Sequence, residues 1–253
     1  MPEQSQALKD LSDAFTSKGL EARAKTLDKL TDLFVAGAES FSETHIAVFD
    51  QVISLLADAI EVRARVHLAE RLADIGNAPL NAVRKLSRDE ISVARPVLAR
   101  STRLTDNDLV EAARHGGRDH MLAISERRDL SEPVTDVLVS EGDRVVVNAV
   151  ASNPTARFSI KGYDMLVAKS HADQLLQSAL GRRSDIPRRH MSVLFELAKA
   201  AARDRLKRDT TSEDQINVSK AVDTSARDIA KEAHDRSRIY QEAAADVARM
   251  AES

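Results

Sequence analysis

The chain has 253 residues, room for one large domain or two small ones, and 43% hydrophobic with 30% charged residues is the balance of a folded chain. With no cysteine it has no disulfide framework, no thiolate metal site and no cysteine nucleophile, and no apolar run reaches the roughly 18–20 residues needed to span a bilayer. The net charge is −3, and the opening Met1-Pro-Glu-Gln-Ser lacks the basic-then-apolar pattern of a leader, so a cytoplasmic protein without a membrane role is expected.

The first seventy residues read as helices. Leu8, Leu11 and Phe15 lie at helical spacing, and Ala24, Leu27, Leu30, Leu33 and Phe34 do the same after Gly19. A further helix runs from Phe41 to Leu56, with Ser42 and Glu43 at its start and Ile46, Phe49, Val52, Ile53 and Leu56 on its apolar face. Another runs from Glu61 to Ile75 and stops at Gly76-Asn77, which fits a left-handed end. No aromatic side chain lies between Phe49 and Phe158, so the core must be built from Ala, Leu, Val and Ile. Such a core suits closely packed helices.

From there a motif recurs. A large aliphatic beside a small residue stands at Leu72, Leu98, Ile124, Val150 and Leu180, at intervals of 26, 26, 26 and 30. Six residues on, a second position repeats as Ala78, Leu104, Leu130, Ala156 and Ile186. A period of this length marks stacked units, none of which can bury its apolar face alone. Each unit reads as two short antiparallel helices. Asp89, Asp119 and Asp143 are expected to start the first helix of a pair, and Thr105, Ser131 and Asp185 the second, by bonding the open amides of the first turn. Pro133 and Pro187 suit first-turn positions, Gly116-Gly117, Gly142 and Gly162 punctuate the other ends, and Pro96 should kink its helix or shift the start. The valines of Arg144-Val-Val-Val147 are expected to be helical.

Beyond Leu197 the pattern changes. Val222, Ala226, Ile229, Ala233, Arg236, Tyr240, Ala243, Val247 and Met250 keep a seven-residue register. With three alanines and an arginine in it, that seam fits either a weak coiled coil or a helix capping its own repeat array. Charge is partitioned here as well: residues 181–208 carry nine basic side chains against three acidic, and residues 209–253 six against ten. Three regions result: N-terminal helices over 1–70, a helical-repeat domain over 71–208, and a charged C-terminal helix over 209–253, through which weak self-association is expected.

Between Arg71 and Pro187 the chain resembles a bacterial family of uncharacterised helical-repeat proteins. The resemblance rests on Ala78-Pro79, Val93-Ala94-Arg95-Pro96-Val97-Leu98, Leu104 to Leu109, His120 with Ala123-Ile124-Ser125, and Gly142-Asp143 with Val146-Val147. The helix pairs also look like HEAT repeats, whose first helix is often bent by a proline as at Pro96. The resemblance implies an all-α solenoid and carries no activity with it; with the C-terminal seam, the expected fold is an all-α, right-handed α-solenoid of HEAT-like helix pairs ending in a long C-terminal helix.

Catalytic patterns are missing from the sequence. There is no Gly-x-Ser-x-Gly elbow, and Gly116-Gly117 is not followed by the Lys-Ser or Lys-Thr of a phosphate loop. His115, Asp119 and His120 could hold a divalent ion, but their spacing matches no ligand set. No catalytic residue, cofactor or metal ligand is assigned. The nonrandom polar feature is arginine at matching repeat positions: Arg100, Arg127, Arg182 and Arg183, followed by Arg188 and Arg189 in the basic segment. Equivalent positions of a repeat array line up along one surface, where they could hold an acidic partner or a phosphate backbone. Helix-end arginines capping carbonyls would show the same placement. The expected function is a non-catalytic scaffold or adaptor for a protein partner. The alternative is nucleic-acid or nucleotide binding, disfavoured by the net acidity and the absence of stacking aromatics.

Overall fold

In the computed structural model, the residues described are 19–209, 223–225, 227–229, 231, 232 and 235, and all their regular elements are helical. The first are α1 (Leu20–Gly37), a 3-10 turn (Ala38–Ser40), α2 (Glu43–Ala57), α3 (Val62–Leu72) and α4 (Leu80–Ser87). There follow α5 (Ile91–Arg100), α6 (Asp106–Gly116), α7 (Arg118–Ser125) and α8 (Glu132–Glu141). The remainder are α9 (Arg144–Ser152), α10 (Ile160–Ser170), α11 (Gln174–Gly181) and α12 (Arg188–Asp209).

Packing alternates. Each odd-numbered helix lies against the next odd one, from α1 to α11; on the even side α2 packs on α4, and α6, α8, α10 and α12 pack in series. Within a pair, α1 packs on α2, α3 on α4, α6 on α7, α8 on α9 and α10 on α11. Two layers of helices therefore share one continuous core, running from Leu27 to Leu194. The expected boundary at residue 70 falls inside α3, whose neighbours include both α1 and α5.

The sequence period is a packing period. Leu72, Leu98, Ile124, Val150 and Leu180 sit near the ends of successive odd helices and are all 0% exposed. Ala78, Leu104, Leu130, Ala156 and Ile186 lie in the loops that enter the even helices and are buried too. Burying a Val, Leu or Ile side chain contributes about 1.5–3 kcal/mol, so the aliphatics from Leu72 to Leu180 each add substantially to the core that joins the repeats.

Helix starts follow local chemistry with exceptions. The Ser42 hydroxyl accepts the His45 amide, and the Asp143 carboxylate accepts those of Val145 and Val146. Thr105 and Asp108 form a reciprocal capping box. Ser159 and Asp173 cap α10 and α11 likewise. Four expected starts behave differently. Asp89 stands one residue before Glu90, the cap position of α5, and accepts the Glu90 amide rather than one of the first turn. Asp119 lies inside the first turn of α7, because Gly117, at φ +77°, already ends α6 and begins α7. Ser131 precedes α8 without a capping bond. Asp185 is held by Arg183, before α12 begins. At Gly76-Asn77 the chain turns without a positive φ. The α5 helix continues through Pro96, which is buried, and Arg144 to Val147 are helical.

At the carboxyl side, Asp223 pairs with Lys199 (3.1 Å) and Arg203 (2.8 Å) on α12, so the chain around residue 223 lies against the basic helix. Of the seven-residue seam only Ile229, which is exposed, is described; Val222, Ala226, Ala233, Arg236, Tyr240, Ala243, Val247 and Met250 lie outside the described residues, as do Leu8, Leu11 and Phe15.

Candidate partner-binding surfaces

Helices in one layer run in the same sense, so the stack has two long edges. One collects the carboxyl ends of the odd helices, where backbone carbonyls lack helical partners. Side chains from the following repeat fill that need. The Asn77 amide donates to the Ala38 carbonyl, and Arg103 Nε donates to that of Ala78 at 3.0 Å. Arg127 donates to the carbonyls of Leu98 (2.6 Å) and Ser101 (2.8 Å), and Asn153 to those of Ser125 (2.9 Å) and Arg127 (2.7 Å). Arg183 closes the series on Asn153 (2.7 Å) and Ala156 (2.6 Å), pairs with Asp185, and lays its guanidinium 4.7 Å from the centre of the Phe158 ring. Its side chain is only 6% exposed.

The six candidate arginines, four from the repeat register and two from the basic segment, thus divide. Arg127 and Arg183 turn inward and cap the preceding repeat, not their own helix end. Arg100 is exposed and bridges Glu70 on α3 (2.7 Å) and Asp74 in the turn that follows it (3.1 Å). Arg189 pairs with Asp164 at 2.9 Å. Arg182 and Arg188 are exposed and have no side-chain partner among the described residues.

The opposite edge collects the amino ends of the odd helices, and there carboxylates receive arginines from the preceding repeat. Arg65 binds Asp89 through two nitrogens (2.6 and 3.1 Å), Arg118 pairs with Asp143 (3.1 Å), and Arg144 binds Asp173 through two nitrogens (2.7 and 3.0 Å). Arg88 with Glu111 and Arg114 with Glu141 extend the ladder along the even helices. The Arg144 bonds, aided by Asn148 and the Leu176 amide, hold the Asp173 carboxyl far below the usual carboxylate range. Val146, Arg118 and Val145 hold Asp143 below it too.

Buried titratable groups are engaged in packing. Asp50 on α2 reaches across to accept the Asn81 and Ala82 amides (2.9 and 2.8 Å), capping α4, whose own start, Pro79, offers no side-chain acceptor. Burial pushes Asp108 upward, but bonds from Thr105 and Arg84 outweigh it and leave the carboxyl lowered. His120 donates from Nε2 to the Asp89 carbonyl at 2.9 Å, with its ring so close to Gly116 that a Cβ there would overlap it. His115 bonds the Glu111 carbonyl of its own helix. Among the described residues no three His, Asp or Glu side chains converge as a metal site.

Depressions border these features, one of about 670 Å³ beside Arg88, Glu111, His115 and His120. A groove of about 800 Å³ crosses α3, α5 and the loop after α7, lined by Glu70, Asp74, Arg95, Arg100, Arg128 and Asp129 among others, with Arg95 paired to Glu126 at its rim. A smaller pocket of about 330 Å³ lies between the loops that follow α9 and α11.

Residues 93–253 match a protein family described as "Uncharacterised protein conserved in bacteria (DUF2336)". The chain belongs to this family. The DUF2336 match begins inside α5 and runs through the last residue, so it leaves out Ala78-Pro79 and takes in the whole carboxyl region, farther than the residues carrying the resemblance extend. No curated protein and no solved structure matches the chain. Among the described residues no helix is long and apolar enough to cross a membrane.

Several features of this DUF2336 chain escape a reading of the sequence. The inter-repeat bonds of Asn77, Arg103 and Asn153, the cross-helix cap by Asp50, and the side chains of Arg157 and Arg128, which have no partner among the described residues, are examples. Their residues stand 25–39 positions from their partners where they have one, beyond the reach of local spacing. Asn153 carried a signal, since it occupies the arginine register.

Proposed function

We propose that this chain is a non-catalytic scaffold: a right-handed, HEAT-like α-solenoid of the cytoplasm whose odd-helix face binds a protein partner. The alternation of helices α1 to α12 between two layers supports the solenoid. One observation carries the choice of partner. The groove across α3, α5 and α7 mixes both signs of charge, with Arg95 and Arg100 beside Glu70, Asp74 and Glu126, within paired networks. A phosphate backbone favours one sign of charge, whereas a polar protein surface can match alternating ones. The engagement of Asp50, Asp108, Asp173, His120 and His190 in packing supports a role outside catalysis.

The test compares wild type with an Arg95→Glu/Arg100→Glu variant in affinity purification from the native host, followed by mass spectrometry. A captured protein that is lost with the variant, whose helical content is unchanged by circular dichroism, is the expected outcome. Retardation of DNA or RNA at ~50 mM salt, together with a capture pattern the variant does not alter, would overturn the proposal in favour of nucleic-acid binding.

A further inference from the structure

From Val150 to His190 the chain holds three carboxylates, and each is taken: Asp164 by Arg189 and His190, Asp173 by Arg144, Asp185 by Arg183. In the same stretch Arg157, Arg182 and Arg188 are exposed and have no side-chain partner among the described residues. All three lie on the edge where odd helices end and even helices begin. The only other such arginine in α4–α11 and their loops is Arg128, on that edge as well.

Arg157 and Arg182 line the 330 Å³ pocket together, with Arg183 and Asp185 beside them and the exposed hydroxyl-bearing residues Ser152 and Ser184 completing the wall. Arg183 and Asp185 cancel each other, so the pocket presents two uncompensated positive charges. Arg183 is also fixed by its carbonyl bonds and by Phe158, which makes the wall between the two loops a rigid one. Two guanidinium forks and hydroxyl donors match a group with several acceptor oxygens and nearly two negative charges. A phosphate monoester carries about −1.5 to −2 at neutral pH with three such oxygens, whereas a carboxylate offers one charge and two. The volume leaves space beyond the phosphoryl group for the atom chain that bears it.

We infer that the pocket between the α9–α10 and α11–α12 loops is a phosphoryl-binding site in which Arg157 and Arg182 grip the anion. It shares no lining residue with the mixed-charge groove, which it adjoins through the Asp129 amide bonded to the Thr155 hydroxyl, and the Arg95→Glu/Arg100→Glu variant should retain it. The full chain is titrated calorimetrically with inorganic phosphate, with a phosphoserine peptide and with the same peptide unphosphorylated. Saturable binding of one phosphorylated probe at one site per chain is expected, and none of the plain peptide. Arg157→Gln and Arg182→Gln should each weaken it about ten-fold or more, as expected for loss of a charge-assisted hydrogen-bonding group. Arg128→Gln removes the same charge from the same edge outside the pocket and should leave binding within two-fold. Equal affinity for inorganic phosphate identifies free phosphate as the ligand, and preference for the peptide identifies a phosphorylated partner; both support the site. If Arg182→Gln proved unstable, Arg182→Ala/Arg183-intact chains checked by thermal melting would take its place. Failure of both probes to saturate, or equal weakening by Arg128→Gln, would overturn the site.

Discussion

The two edges of the helix stack solve the same problem with opposite chemistry. Where odd helices begin, Arg65, Arg118 and Arg144 meet Asp89, Asp143 and Asp173; the Arg118–Asp143 pair is open to water, while Arg65, Asp89 and Asp173 are largely covered. Where odd helices end, Asn77, Arg103, Arg127, Asn153 and Arg183 bond backbone carbonyls of the preceding repeat. Exposed ion pairs contribute roughly 0–1 kcal/mol each, whereas a partly buried donor to otherwise unpaired carbonyls is costly to remove. The exposed Arg118–Asp143 pair therefore adds little stability, whereas the second edge ties neighbouring repeats together. Arg128, Arg157, Arg182 and Arg188 stand on the second edge without side-chain partners among the described residues, and the phosphoryl pocket lies there.

The core beneath both edges sets the scale. Leu98→Ala or Ile124→Ala, each removing a fully buried side chain, should cost about 2–5 kcal/mol in denaturant unfolding. A cost below about 1 kcal/mol would mean that the edges, not the shared core, hold the repeats. Next in size, Arg127→Ala should cost about 2 kcal/mol, because it strands the Leu98 and Ser101 carbonyls. Asn153→Ala should cost about 1–2 kcal/mol for the same reason. Both figures come from urea midpoints, and losses near zero would erase the difference between the edges.

Acid should weaken the first edge through Asp143 and Asp173, while Asp108 and Asp164, also held low, add to the decline from the even-helix starts. Asp143 and Asp173 titrate below the ordinary carboxylate value of 3.8 when folded, so they bind protons more readily unfolded. Their contribution is complete above that value and is lost as pH falls through the lower folded values. The melting temperature should hold from pH 7 to about 5 and decline below about 4, and Asp173→Asn should flatten part of the decline. A decline unchanged by Asp173→Asn would place the acid sensitivity elsewhere. The smallest effects belong to exposed pairs: Arg88→Ala and Arg114→Ala should each change stability by less than about 1 kcal/mol, and less at high salt.

Much of this architecture is legible in the sequence because burial repeats where the chain repeats. The aliphatics from Leu72 to Leu180, and the loop positions from Ala78 to Ile186, are at once the sequence signal and the core. Thr105 and Asp143 are legible as helix starts because a cap bonds two or three residues away. Asp185 misleads because Arg183, two residues earlier, claims its carboxylate first. The arginine register is visible, but its purpose is not: whether a guanidinium turns inward or outward depends on a carbonyl about one repeat upstream. Adjacent residues with the same side chain, Arg182 and Arg183, end in opposite situations, and nothing in their local spacing separates them.

That adjacent pair offers the most direct measurement: thermal unfolding of Arg182→Gln beside Arg183→Gln, same chemistry, one position apart. Arg183→Gln removes a 6% exposed guanidinium from its carbonyls and from Asp185, a loss of about 3 kcal/mol. For a chain of this size that corresponds to a melting temperature lower by about 6–12 °C. Arg182→Gln should leave it within about 1–2 °C, as for a surface side chain without a partner. Equal shifts in the two variants would contradict the division between a capping and an outward-facing arginine.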